Sequence, residues 1–224
     1  MTMPPRFTVV DDLERPDHAY LPADVRCYFW GEYTPQRLIE GPAWDYSPTN
    51  RLITNFKKKL DRRDQYDWRY KEQAIATVGT AFAAMLDWPA LHGFGWAIVP
   101  VPPSKPRSDP MYDDRMMQVL QEIQNRRALV LDIRDCLSFS GAFASSHESD
   151  ERPTPNQLYQ NLEFDPVAGR IGSPPRGFFL LDDMLTTGAH LVAVRQRLRD
   201  EFGNLPVTGC FISRRRFPSP LAEP

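Results

Sequence analysis

The chain has 224 residues, 42% of them apolar and 12% aromatic, and 27 basic against 29 acidic side chains leave a formal charge of −2. That length supports one substantial core, and the aromatic content argues against global disorder. The charge balance disfavours a general nucleic-acid coat or a basic membrane binder.

Residues 1–24 are polar and broken by prolines, and read as a short strand at 7–10 followed by an arm. A strand is expected at 25–30, with Gly31 as a turn and Tyr33 opening a returning strand. Pro42 and Pro48 mark 41–49 as loop. Thr49 or Asn50 is positioned to cap a helix carrying Leu52, Ile53, Phe56 and Leu60. The run Lys57-Lys58-Lys59 reads first as a solvated face and second as a phosphate contact. Residues 71–87 give the clearest amphipathic helix, with Ala74, Ile75, Val78, Ala81, Phe82 and Met85 on one stripe. Pro89 helps to end it. A buried strand at 94–99 leads into Pro100-Val101-Pro102-Pro103-Ser104-Lys105, and a helix at 111–124 follows.

A strand is expected at 128–133. Residues 138–157 have the composition of a long loop, longer than ordinary connections. Further expectations are a strand at 176–181, a helix at 188–202 and a strand at 207–213. Alternating strands and helices indicate an α/β domain with a mostly parallel central sheet flanked by helices. The expected divisions are an arm at 1–24, the domain with hood elements at 25–216 and a tail at 217–224. Cys27, Cys136 and Cys210 are too few and too scattered for a disulfide framework or a zinc knuckle, and read as small buried residues. They fit a reducing cytoplasm. No basic start precedes an apolar run, and no apolar stretch approaches the ~20 residues needed to span a bilayer.

The segment with the most chemistry is 178–190. Four apolar residues deliver Asp182 and Asp183 to a strand end. Thr186, Thr187 and Gly188 then place hydroxyls and amides at a helix start, where unpaired donors and the helix dipole favour a phosphate. The acids suit ribose hydroxyls or water on magnesium. A sugar phosphate explains both halves.

This segment resembles the phosphoribosyl-diphosphate signature of type I phosphoribosyltransferases, in which a hydrophobic strand leads to two acids, two variable residues and a Thr-Thr-Gly turn. The resemblance implies that Asp182, Asp183, Met184, Leu185, Thr186, Thr187, Gly188, Ala189 and His190 form the ribose 5-phosphate site. Threonine is frequent in that family where His190 stands, so His190 is either a phosphate contact or a packing residue. Ser104, Lys105 and Arg107 correspond to the family's diphosphate loop, which often has unusual peptide geometry. Asp113, Asp114 and Arg115 resemble the start of the following helix, as substrate contacts or caps. A looser match relates 147–158 to the flexible catalytic loop of the competence-associated amidophosphoribosyltransferase-like branch. Arg152 would then be a leaving-group contact. Residues 53–58 and 211–214 resemble that branch's helix and last strand. The cysteine spacing of that branch's zinc module is not found, and without the N-terminal cysteine nucleophile and glutaminase domain of a true amidotransferase, ammonia release from glutamine is not expected.

The implied fold is α/β, type I phosphoribosyltransferase-like, with a small variable hood. The implied activity is Mg2+-dependent transfer from 5-phosphoribosyl 1-diphosphate to an unidentified nucleobase or amine. Lys105, Arg152, Asp182 and Asp183 would serve catalysis, with Mg2+ held mainly through substrate and water. Tyr28, Trp30, Tyr33, Trp44, Tyr46 and Phe217 are candidate surfaces for the acceptor or simple packing residues. A homodimer is left open, and no membrane partner is expected. A non-catalytic phosphoribosyl-diphosphate- or nucleotide-binding regulator is the alternative. A DNA-associated protein using Lys57–Lys59 and Arg214–Arg216 ranks third.

Overall fold

The run Phe178-Phe179-Leu180-Leu181 leaves its strand no polar face, so it needs cover on both sides. The computed structural model, which describes residues 2–141 and 153–216, supplies that cover. Its strands are β1 (Thr8–Val9), β2 (Arg26–Tyr33), β3 (Trp96–Pro100), β4 (Leu137–Phe139), β5 (Leu162–Phe164), β6 (Gly177–Leu185) and β7 (Val207–Arg215). Its α-helices are α1 (Ala43–Tyr46), α2 (Pro48–Phe56), α3 (Arg69–Met85), α4 (Trp88–Gly93), α5 (Arg115–Arg127), α6 (Pro155–Gln160), α7 (Pro166–Gly169) and α8 (Ala189–Phe202).

The main sheet has the order β1-β2-β7-β6-β3. β1 runs antiparallel to β2, and the other neighbours are parallel. β4 and β5 form a separate antiparallel pair. Side chains alternate across β6. Phe178 and Leu180 pack with Leu191, Val194 and Leu198 of α8 on one face. Phe179 and Leu181 pack on the other with Phe56 of α2, Val78 and Phe82 of α3, and Leu120 and Ile123 of α5. The chain is therefore a three-layer α/β structure with a mixed, mostly parallel sheet.

Several local expectations change. Gly31 is no turn: β2 runs through it to Tyr33, in register with Ser213 and Arg215 of β7. A Cβ on Gly31 would lie 2.4 Å from Thr49 Oγ1 and 2.8 Å from Thr49 Cγ2. Glycine is there because α2 crosses the strand closely, a close approach and not a bend. The 41–49 stretch is partly helical, and Pro48 opens α2 instead of breaking the chain, because a first-turn proline has no amide to waste. The cap of α2 is Ser47, whose Oγ accepts the Asn50 amide at 3.0 Å. Asn50 instead ties the helix to the end of β2, accepting from Thr34 N–H at 3.1 Å and donating to Thr34 O at 2.8 Å. Leu60 lies beyond α2, in a 3-10 turn. Pro89 belongs to the first turn of α4; α3 has already ended at Met85.

The strand expected at 128–133 shrinks to one parallel bridge, Ile98 to Ile133. Ala128 terminates α5 in the left-handed region at φ 48°, and Val130 is exposed, so the segment lacks the start and the burial of a strand. The N-terminal segment lies on the domain, with Val10 and Leu21 in the core beside α8 and the Trp30 indole N–H donating to Pro4 O at 2.8 Å. Cys27, Cys136 and Cys210 are buried free thiols, and burial pushes Cys27 and Cys136 up to about 12. Among the described residues no helix is long and apolar enough to cross a membrane.

Gly31→Ala should cost about 1–3 kcal/mol through overpacking against Thr49. A urea unfolding series should show a lower midpoint with an unchanged slope.

Candidate functional site

Open parallel sheets bind ligands beyond the carboxyl ends of their strands, where neighbouring strands send their connections in opposite directions. β3 and β6 are such a pair. From β3 the chain passes through α5 on one face and returns outside β3 at Ile133. From β6 it passes through α8 on the other face and returns inside as β7. A cleft of about 220 Å³ opens at this point. Val101, Pro102, Pro103 and Ser104 line it from the end of β3, and Asp182, Asp183, Met184, Thr186 and His190 from the end of β6 and the start of α8. Lys57, Asp113, Arg115 and Met116 complete it. A broad, shallow hollow on α3, lined by Gln73, Ala76, Thr77, Thr80 and Ala81, has no charged lining.

The two acids have different surroundings. Consecutive strand residues point to opposite faces, and Asp183 follows Phe179 and Leu181 toward α2, α3 and α5. There it accepts from Lys57 Nζ at 2.9 Å, Arg115 Nε at 3.2 Å and Arg115 Nη2 at 2.5 Å. Arg115 also donates to Asp113 Oδ2 at 2.7 Å, and Asp113 accepts from Lys71 Nζ at 2.7 Å. Lys71 is almost wholly buried and donates to Phe56 O at 2.9 Å and Lys58 O at 3.0 Å. All three donors of its ammonium are thus used. Burial alone would raise Asp183, but the Lys57 and Arg115 charges overcome it and hold the carboxyl well below the usual range.

Asp182 is half-buried and, among the described residues, has no ion-pair partner. Its Oδ1 accepts the Asp183 amide at 2.7 Å. Burial, and then the neighbouring Asp183 charge, push it up to about 7.

The turn after β6 is built for close approach. Gly188 has φ 84° and starts α8 with no side-chain cap, so the first-turn amides lack the usual side-chain acceptor. The N-terminal segment braces the back of this turn. His18 Nδ1 contacts Thr186 O, Tyr20 N–H donates to Thr187 O at 2.9 Å, and a Cβ on Gly188 would meet Leu21 N at 3.0 Å.

The structure therefore brings Ser104, Asp182, Asp183, Met184, Thr186 and His190 into one cleft. Thr187 and Gly188 form its turn, while Leu185 and Ala189 belong to the core. His190 packs edge-on against Phe139 at 5.9 Å. Lys105 lies outside the lining, 3.2 Å from Asp109. Arg107 grips Asp135 at 2.8 and 2.7 Å and donates to Asp135 O and Leu137 O. No cis peptide occurs among the described residues. Asp114 occupies the N-cap position of α5 without capping a backbone amide. Arg152 and Phe217 lie outside the described residues.

Trp30 is core, and Trp44 and Tyr46 are exposed on α1 away from the cleft lining. Arg214 is engaged by Glu14, Asp17 and Glu32, which removes it from an exposed basic strip. Lys71 was missed because its helical stripe reads as apolar. Arg115 and Lys57 had sequence signals, the Asp113-Asp114-Arg115 triplet and the lysine run. A scan against models of known protein families finds no match, and no curated protein matches the sequence.

Among the described residues no three carboxylate, His or Cys side chains gather as a metal cage. The acids nonetheless fit a hydrated cation carried by a ligand, because Asp182 faces the cleft without a cationic partner of its own.

Lys71→Met should destabilise the fold by about 3 kcal/mol, since Arg115 still partly compensates Asp113 while two carbonyls lose their donor. Pairing it with Asp113→Leu should recover part of the loss, as read from urea midpoints. Asp182→Asn tests the raised acid. Between the ordinary carboxylate value of 3.8 and about 7 the folded protein holds a proton that the unfolded chain has released. Stability therefore falls as pH rises through that window. The variant should melt above the wild type at pH 8, with the gap narrowing as pH drops toward 4.

Proposed function

We propose that the cleft binds 5-phosphoribosyl 1-diphosphate and transfers its phosphoribosyl group to a nucleobase or amine. The proposed fold at finer grain is the type I phosphoribosyltransferase fold with a small variable hood. One observation carries this reading. The acidic pair and Thr186, the first residue of the Thr-Thr-Gly turn, line one cleft with the 101–104 loop, at the switch point of the sheet.

In the proposed reaction the C1–oxygen bond to diphosphate breaks and its electron pair leaves with diphosphate. The acceptor nitrogen forms the new C1–N bond and gives its proton to solvent. The uncapped start of α8, with Thr186 and Thr187, receives the 5-phosphate. Asp182 accepts from ribose hydroxyls or from water on the accompanying cation. Asp183, held ionised and ion-paired by Lys57 and Arg115, positions those two cations at the cleft. Mg2+ carried on the diphosphate would neutralise charge developing on the leaving group.

The two cations already on Asp183 also favour the alternative of a binding protein without turnover, because they leave that acid little freedom to contact ribose. One assay separates the two. With magnesium, phosphoribosyl diphosphate and a panel of bases and amines, mass spectrometry should detect both diphosphate and a riboside product. Binding by calorimetry with no product selects the regulator. Thr187→Val should weaken the calorimetric affinity about tenfold or more by removing a hydroxyl donor to a charged group. Unchanged affinity in the folded variant would remove the phosphate turn from the proposal.

A further inference from the structure

The cations around the acidic pair differ in freedom. Lys71 is 1% exposed, and its three donors are committed to Phe56 O, Lys58 O and Asp113. Arg115 is 15% exposed at its side chain and wedged between Asp113 and Asp183. Lys57 lines the same cleft with a 42% exposed side chain, and its one ion-pair partner among the described residues is Asp183.

If Lys57 leaves, Asp183 keeps two hydrogen bonds from Arg115. The acid is therefore not stranded, and the exchange lacks the usual cost of an orphaned buried charge. The base of the lysine is also fixed. Its own amide donates to Ile53 O at 2.9 Å, the next amide, of Lys58, donates to Asn55 O at 3.2 Å, and Lys71 holds the carbonyls of the residues on either side, Phe56 and Lys58. A rigid root with a long, half-exposed stem suits a side chain that must swing between two partners. Lys58 does not share this role, because its side chain is 10% exposed and its ammonium is turned to Asp67 Oδ2 at 3.0 Å. Lys105, on the opposite loop, lies outside the lining.

From this geometry we infer that Lys57 is an anion-binding residue of the cleft: its ammonium rests on Asp183 and transfers to a phosphate-bearing group of the ligand. This rests on the sugar-diphosphate reading of the cleft and adds a residue to it. Asp183 acts as a parking place that keeps the cation at the mouth of the cleft, and the ligand's anion takes over the pairing. The transfer is a change of ion-pair partner, with no bond made or broken and no net proton movement.

The test titrates magnesium diphosphate, the charged part of the proposed ligand, into wild type, Lys57→Gln and Lys57→Arg by calorimetry, with thermal melts as the check on folding. Lys57→Gln should bind about tenfold to a hundredfold more weakly, since it loses one charge-assisted contact. Lys57→Arg, which keeps the charge, should recover most of the affinity. A pure partner of Asp183 would instead lower the melting temperature and leave diphosphate affinity unchanged, and that result overturns the inference. Equal weakening in both variants, with no rescue by arginine, also overturns it. Thr187→Val, titrated with phosphoribosyl diphosphate, separates this failure from a failure of the cleft reading. If Thr187→Val weakens binding while both Lys57 variants match wild type, the cleft stands without Lys57. If wild type binds neither compound, both readings fall.

Discussion

A chain of alternating charges runs through the interior from Lys71 to Asp113, Arg115, Asp183 and Lys57. Removing charge from water is costly, so each member needs a partner of opposite sign at close range. That requirement joins the end of α2, α3, the start of α5 and β6, with Lys57 and Asp183 lying 126 residues apart in the sequence. Apolar packing would let these elements slide by small amounts. Directional bonds between carboxylates and cations fix where the end of α2 and the start of α5 meet β6. The shape of the cleft depends on that fixing, and so does the contrast between its two acids.

The contrast follows from the period of a strand. Neighbouring residues in an extended chain must face opposite ways, so an Asp-Asp pair at a strand end cannot have one environment. Asp183 falls on the face where three helices bring basic residues. Asp182 falls on the face of Phe178 and Leu180, which pack with α8, and has no ion-pair partner among the described residues. One acid is neutralised by the protein, and the other stays available to whatever enters.

Much of this was legible in the sequence, but unevenly. The apolar run at 178–181, the stripe of α3 and the Thr-Thr-Gly turn each announce a local structure, and each is where periodicity and turn chemistry place it. β6 extends past its apolar run, through Asp182 and Asp183 to Leu185, because pairing with β7 continues to Arg214. Gly31 and Pro48 misled because both residues punctuate chains in one context and serve packing or helix starts in another. Lys71 was invisible for a different reason. A charged residue on an apolar stripe reads as an edge position, and only the long-range fold supplies the carbonyls and the carboxylate that satisfy it. Arg107 shows the reverse: its place after the 100–105 loop suggested a ligand, while the fold turns it toward Asp135.

The three buried cysteines have a practical consequence. Cys27 and Cys210 lie on adjacent strands at the middle of the sheet, and Cys136 just precedes β4. A thiol attacks alkylating reagents as thiolate, and burial suppresses both the thiolate and the access of the reagent. Native molecules are therefore silent to such reagents, while a molecule whose sheet has come apart exposes its thiols for labelling. Alkylation of Cys27 and Cys210 counts openings of the β2–β7 seam, and Cys136 reports on the smaller β4–β5 ribbon. Without any introduced probe, the chain has separate clocks for the breathing of its two sheets.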